Sequence, residues 1–189
     1  MIKSALRTIY KDKRKALSEK DRMKLDDLIL IQFQQLELSG INTLLSYLPM
    51  PTHHEVNTLH ITDYVKFRVP GLQLAYPRTH YQEVTMMAIA VDDETAYETN
   101  NHGIVEPVAG QVLSPETLDM IFVPLLAYDK LGYRVGYGKG FYDRYLKLCR
   151  QDVVKVGFSY FEPEPVISDV NEFDIPLNFA ITPDCIYEF

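Results

Sequence analysis

The sequence predicts an α/β protein: a mainly parallel sheet flanked by helices, in three layers. Two observations carry this. Short apolar runs of strand length recur along the chain, separated by stretches with helical spacing of apolar residues. A glycine-rich loop follows one of those runs and leads into a further helical pattern, the usual order of strand, loop and helix in such folds.

The elements follow in order. Residues 2–16 place Ile2, Ala5, Leu6, Ile9 and Ala16 at helical spacing. Ser18 is a candidate N-cap with Asp21 three residues on, and a second helix runs through Leu25, Leu28, Ile29, Phe33 and Leu36 until Ser39-Gly40 stops it. "TLLSYLP" (43–49) and "LQLAYP" (72–77) read as buried strands, with helical spacing between them in "EVNTLHITDYVKF". Further strands are expected at 84–91, 119–124, 153–160 and 179–183. After Gly140, Phe141, Tyr142, Tyr145, Leu146 and Leu148 mark one helical face. Strands that alternate with helices give parallel pairing through right-handed crossovers. Ligands of such sheets bind beyond the carboxyl ends of the strands, so the loops after Leu48, Tyr76 and Pro124 are the places to search. Proline-rich patches at 49–51, 105–107, 115 and 163–165 are too short to be linkers, so residues 1–189 are expected to form one domain.

Composition narrows the function. At 47% hydrophobic and 24% charged, the chain has the make-up of an ordinary soluble protein. Its net charge of −7 argues against general nucleic-acid binding. No segment reaches the length of a membrane span, and the N-terminus lacks the apolar core of a signal peptide. Cys149 and Cys185 lie far apart without zinc-site spacing and read as free thiols of a reducing compartment, so a cytoplasmic location is expected.

Chemistry concentrates in "GYRVGYGKGFYDRYL" (132–146). It is not a Walker A loop, because five residues separate Gly132 from Gly138 and Gly140 follows Lys139. Nor is it G-x-G-x-x-G, because Phe141 occupies the third glycine position. Glycines beside Arg134 and Lys139, feeding a helix N-terminus, point instead to a phosphate-binding loop of another design. Asp143 in the first helical turn is either a dipole-favoured carboxylate or, beside polyphosphate, a Mg²⁺ ligand, with Asp129 as a candidate second carboxylate. Lys3, Arg7, Lys11 and Arg14 form a basic stripe on the first helix, either a solvated face or a phosphate contact. If it binds phosphate, Lys3 and Arg7, about 6 Å apart along the axis, do so, and Arg14, about 16 Å from Lys3, is structural. Glu55, at a strand exit, is a candidate acceptor for ligand N–H groups or simply the start of the next helix.

Together "IKSALRTIYKDKRKALS", "LPMPTHHEVNT", "YPR", "GIVEP" and "LDMIFVPLLAYDKLGYRVGYGKGFYDRYL" resemble the 5-formyltetrahydrofolate cyclo-ligase family. The resemblance implies a fold related to the ribose-phosphate isomerase and CoA-transferase group. It also implies an ATP- and Mg²⁺-dependent cyclisation of 5-formyltetrahydrofolate to 5,10-methenyltetrahydrofolate, with ADP and phosphate released. By position, Lys3, Arg7, Arg134, Gly136, Gly138, Lys139, Gly140, Phe141 and Tyr142 would bind ATP. Lys139 and Arg134 would stabilise the transferring phosphoryl group. Met50, Glu55 and Tyr137 would bind the folate, and Asp143, with Asp129, the metal. Tyr137 stands where some members have Arg, Phe141 where Tyr is frequent, and His102 where some have Trp. A monomer that takes small-molecule substrates, with no nucleic-acid or membrane partner, is the expectation. The alternatives are a non-catalytic nucleotide or phosphosugar sensor, which would not need Glu55, and a phosphotransferase with another acceptor.

Overall fold

The computed structural model describes residues 1–189. In chain order its elements are helices α1 (Lys3–Ala16) and α2 (Glu19–Phe33), strand β1 (Thr43–Leu45), helix α3 (Thr58–Arg68), and strands β2 (Gln73–His80), β3 (Thr85–Ala90), β4 (Tyr97–Thr99), β5 (Val105–Pro107), β6 (Val112–Leu113), β7 (Met120–Phe122), β8 (Ala127–Tyr128) and β9 (Arg134–Val135). Helix α4 (Phe141–Leu146) and strands β10 (Val154–Phe158), β11 (Phe179–Ile181) and β12 (Ile186–Glu188) complete it. Eight strands form the main sheet in the order β12-β11-β10-β7-β1-β2-β3-β6. From β11 to β2 every neighbouring pair is parallel. The outer pairs β2-β3, β3-β6 and β11-β12 are antiparallel.

The parallel centre follows from the apolar runs. Leu44, Leu45, Met120, Ile121 and Phe122 are all buried, as strands covered on both faces require. Adjacent residues point to opposite faces. Leu44 therefore joins Ile29, Phe33, Ile61, Val65 and Phe122 under α2 and α3, whereas Leu45 joins Ile121, Tyr145, Leu146 and Leu177 under α4. The expected three layers result. Ser18 caps α2, its hydroxyl accepting from the Asp21 N–H at 3.1 Å.

Several boundaries differ from expectation. β1 stops at Leu45, and the chain leaves the sheet earlier than Pro49. The run at 84–91 is no crossover strand: β3 returns directly on β2 as an antiparallel hairpin. The edge strands β6 and β12 are too short to show a periodic pattern. Helix α4 ends at Leu146, so Leu148 lies outside it and 61% exposed.

Helix α1 lies apart from the main sheet. Leu6 and Tyr10 pack on Leu126, Ala127, Val135 and Ile167, around the small β8-β9 hairpin. That seat brings Lys3, Arg7 and Lys11 of the basic stripe to the end of the sheet where ligands are expected.

Candidate active site

A cavity of about 750 Å³ opens beyond the carboxyl ends of β1, β2 and β7. The loop after β1 supplies Met50 and Glu55, β2 supplies Pro77 and Thr79, and Pro124 follows β7. The glycine loop and one side of α1 close it. All the residues expected to bind ATP, folate or metal line this cavity, except Asp129. The segments after Leu48 and at Pro124 contribute to it as expected, whereas the residues after Tyr76 that line it are still strand β2 and not a loop.

The glycine loop gets its shape from backbone conformation. Gly138 and Gly140 have φ of 93° and 75°, a region side-chain-bearing residues rarely enter. A Cβ on Gly138 would also stand only 3.3 Å from the Arg7 guanidinium. Arg7 donates from Nε to the Gly136 carbonyl at 2.9 Å and so ties the loop to α1. Gly140 precedes α4 without a side-chain cap, which leaves the first-turn N–H groups unclaimed by side chains. Lys139 is exposed, and its ammonium forms no hydrogen bond or ion pair. Phe141 and Tyr142 begin α4. The Tyr142 hydroxyl is buried without a partner, and burial raises its pKa, with the charge of Glu55 adding to the effect.

Other expected ligand contacts already have protein partners. Arg134 is only 6% exposed. It donates from Nη2 to Asp143 at 2.8 Å and from Nη1 to the Ile175 carbonyl. Burial lowers its basicity, and Asp143 opposes that shift. The same Asp143 oxygen accepts from the Ile175 N–H at 3.2 Å, whereas its other oxygen has no protein donor. This pair fastens the glycine loop to the segment before β11. Lys3 forms an ion pair with Asp174 at 2.5 Å, both side chains largely buried. Asp174, which nothing in the local sequence marks out, also lines the cavity.

Asp129 is a correction. It is fully buried outside the cavity. One oxygen accepts from the Leu131 and Tyr133 N–H groups, each at 3.0 Å, and the other from the Ile167 N–H at 2.9 Å. A carboxylate satisfied in this way organises the turn of the β8-β9 hairpin and has no free face for a metal.

Glu55 sits at the centre of a second network. Its Oε2 accepts from the Met50 N–H at 2.7 Å, and its Oε1 from the Tyr137 hydroxyl. Behind Tyr137 lies Arg14, 2% exposed, whose Nη1 donates to the Tyr137 oxygen at 3.3 Å and whose Nη2 donates to the Leu125 carbonyl at 2.5 Å. Arg14 is thus structural, as the helical rise predicts, but it is buried rather than solvated. Burial raises the Tyr137 pKa, and the Glu55 charge raises it further. His53 lies against the Tyr137 ring, centroids 4.9 Å apart, with its Nδ1 3.2 Å from the Met50 sulfur.

Tyr81, Thr79 and Glu106, unassigned from sequence, join His102 and Phe141 in the remaining wall. Tyr81 and His102 stack at 3.5 Å, and Phe141 meets the Tyr81 ring edge-on at 5.1 Å. Glu106 lies beside them and accepts from the Thr79 N–H at 2.9 Å. No short-range pattern could reveal this wall, because it depends on the β2-β3 hairpin and on the packing of β5 against β2.

Comparison with known proteins gives a consistent result. A family model described as the 5-formyltetrahydrofolate cyclo-ligase family matches residues 1–183. A 5-formyltetrahydrofolate cyclo-ligase of Mus musculus is 32% identical over 158 residues, 79% of this chain and 75% of that one. The match to the Mycoplasma genitalium protein of that name is 46% identical but local, spanning 25% of this chain and 29% of that one. Among solved structures, the NMR structure of Aquifex aeolicus 5,10-methenyltetrahydrofolate synthetase superposes with a TM-score of 0.78 at 30% identity, covering 100% of this chain and 93% of that one.

Proposed function

This chain belongs to the 5-formyltetrahydrofolate cyclo-ligase family and is an enzyme that cyclises 5-formyltetrahydrofolate to 5,10-methenyltetrahydrofolate with ATP, and we propose how its cavity divides that work. The observation that carries the division is the placement of an unpaired lysine and a buried carboxylate in one cavity. Lys139 projects from the glycine loop, and Glu55 is held on the β1 loop.

ATP lies with its phosphates along the loop from Gly136 to Tyr142. The N–H groups around Gly138 and Gly140, Lys139, and the guanidinium nitrogens of Arg7 not used on Gly136 neutralise its charge. Lys3 contributes by sharing its ammonium between Asp174 and phosphate. Arg134 acts mainly through Asp143, shaping the loop. The folate lies against Met50, Glu55 and Tyr137, where the carboxylate accepts from its ring N–H groups.

The chemistry needs no side-chain nucleophile. A formamide oxygen is weakly nucleophilic, so the γ-phosphate must be neutralised and held in line with it. Phosphorylation turns that oxygen into a leaving group, and N10 closes the ring as phosphate departs.

A divalent cation fits this arrangement. The free oxygen of Asp143 is a suitable donor, and Mg²⁺ takes one or two carboxylates together with phosphate oxygens. The absence of any cluster of three or more His, Cys, Asp or Glu is compatible with so open a site. When bound, the ion would neutralise phosphate charge.

The reading extends to a single-domain monomer that acts on small molecules in the cytoplasm. The net charge of −7 disfavours nucleic acid, and no helix is long and apolar enough to cross a membrane. Mixing the protein with 5-formyltetrahydrofolate, ATP and Mg²⁺ should produce methenyl absorbance in the near ultraviolet that requires both ATP and metal. Product without ATP, or none under any condition, refutes the reading.

A further inference from the structure

On the reading just given, ring closure leaves a proton to be disposed of. N10 attacks as a secondary amine, so the new N10–C bond leaves N10 cationic with its hydrogen still attached, and that proton must be lost to give the neutral nitrogen of the methenyl product's amidinium system. A carboxylate fixed within the cavity can serve as the acceptor for it.

The carboxylates that line the cavity are Glu55, Glu106, Asp143 and Asp174. Asp143 and Asp174 are ion-paired, to Arg134 and Lys3. Both oxygens of Glu55 accept from protein donors. Glu106 differs from all three. It is 5% exposed, and its Oε1 accepts from the Thr79 N–H and hydroxyl, but Oε2 accepts from no protein group and no cation reaches either oxygen. Arg78, the nearby base on β2, donates instead to the Val108 carbonyl and pairs with Glu98 at 3.8 Å.

This arrangement is costly for the fold. The β4-β5 ladder sets Glu106 opposite Glu98, a like-charge pairing that destabilises strands. The Glu106 Oε2, which accepts from no protein group, is not sealed from solvent. Thr79 holds the group with two hydrogen bonds, so its orientation is fixed. Beside it the Tyr81–His102 stack gives an apolar wall suited to a planar ring.

We propose that Glu106 accepts the N10 proton during ring closure, with Thr79 as its positioning residue. The N10 lone pair forms the bond to the formyl carbon, the proton passes to Glu106 Oε2, and the carbon–oxygen bond to phosphate breaks as N5 donates its lone pair. The methenyl cation and inorganic phosphate result.

Single-turnover mixing with 5-formyltetrahydrofolate, ATP and Mg²⁺, reading ADP and methenyl absorbance separately, tests this. In E106Q, one equivalent of ADP should form at close to the wild-type rate while methenyl appears at least tenfold more slowly. E106D, which keeps a carboxylate, should close the ring faster than E106Q. An unchanged methenyl rate in E106Q, equal slowing of ADP and methenyl, or an E106D as slow as E106Q overturns the assignment. If E106Q does not fold, E106D against wild type decides: methenyl slowed more than ADP supports it, and equal slowing overturns it. A wild-type protein that forms no methenyl would instead refute the underlying reading.

Discussion

Glu55→Gln separates folate binding from nucleotide binding, and the structure sets the size of the effect. In the wild type one oxygen accepts from the Met50 N–H and the other from the Tyr137 hydroxyl. An amide has one acceptor and one donor, so it must fail one of them. Turned toward Met50, its NH₂ opposes a backbone N–H that cannot reorient. Turned toward Tyr137, it meets a hydroxyl oxygen that already receives Arg14 Nη1, and the phenolic proton loses its acceptor. Either way a buried donor goes unpaired, at about 1–3 kcal/mol. The free protein should therefore lose roughly 2–12 °C in melting temperature, taking ~2–4 °C per kcal/mol for a chain of this size. Folate affinity should fall about 5- to 150-fold on the same energy scale, because the amide also mismatches a pterin N–H. ATP affinity should barely change, since Glu55 touches no part of the glycine loop except the Tyr137 hydroxyl. Calorimetric titration of each ligand, with a thermal melt of each protein, provides the assay. Unaltered folate affinity would refute the placement of the folate, and equal loss of both ligands would refute the division of the cavity.

Lys139→Ala should cut kcat roughly ten- to over a hundredfold, by loss of a charge-assisted contact worth about 1.5–3 kcal/mol, and leave the melting temperature unchanged, because Lys139 holds no protein partner; steady-state kinetics and a melt check both halves. Asp129→Ala should destabilise the protein by more than about 3 kcal/mol, since three backbone N–H groups lose their acceptor, while the Mg²⁺ concentration for half-activation stays the same; urea unfolding and a metal titration decide it. Burial raises the Asp119 pKa, but the Asn42 and Thr43 N–H groups, the Thr43 hydroxyl and Arg150 outweigh it, so the carboxyl sits below its ordinary value when folded. Its stabilisation is accordingly complete above about pH 4, the unfolded value, and lost as pH falls through the lower folded value. Asp119→Asn should flatten that acid limb in urea midpoints measured against pH, and an unchanged limb would count against the role.

How much of this was legible in the sequence depended on range. The parallel centre was readable, because Leu44-Leu45 and Met120 to Phe122 are apolar at every position, which only a strand covered on both faces tolerates. The direction of β3 was not readable: an apolar run of that length fits either orientation, and the tight 81–84 turn that reverses the chain carries no glycine. The glycine loop announced itself by composition, and Asp129, three residues before that segment, read as a candidate second carboxylate beside Asp143. Only the folded chain shows the Asp129 oxygens taken by Leu131, Tyr133 and Ile167, the last 38 residues away. Glu106 lies in the "GIVEP" segment that carries the resemblance, but its proposed role could not be read there, since it rests on Thr79 from another strand.

Counting charges along the chain also overstates the charge available to a ligand. Lys3, Arg7, Arg134 and Lys139 read as four equivalent cations, yet Asp174 neutralises Lys3, Asp143 and a carbonyl occupy Arg134, and Arg7 gives one nitrogen to Gly136. Lys139 alone is uncommitted. The physical reason is that a loop with glycines at 136, 138 and 140 has little rigidity of its own and loses much entropy when ordered. The paired cations supply that order beforehand: Arg7 fastens the loop to α1, and Arg134 with Asp143 fastens it to Ile175. Polyphosphate bound there as proposed would meet amides already oriented, and stabilising a moving phosphoryl group needs little rearrangement when charge shifts. It follows that removing Arg134 acts on the shape of the site, whereas removing Lys139 acts on its charge. Of the two residues expected to stabilise the phosphoryl group, Arg134 is bound into the loop by protein partners and Lys139 is left free for the substrate contact proposed above.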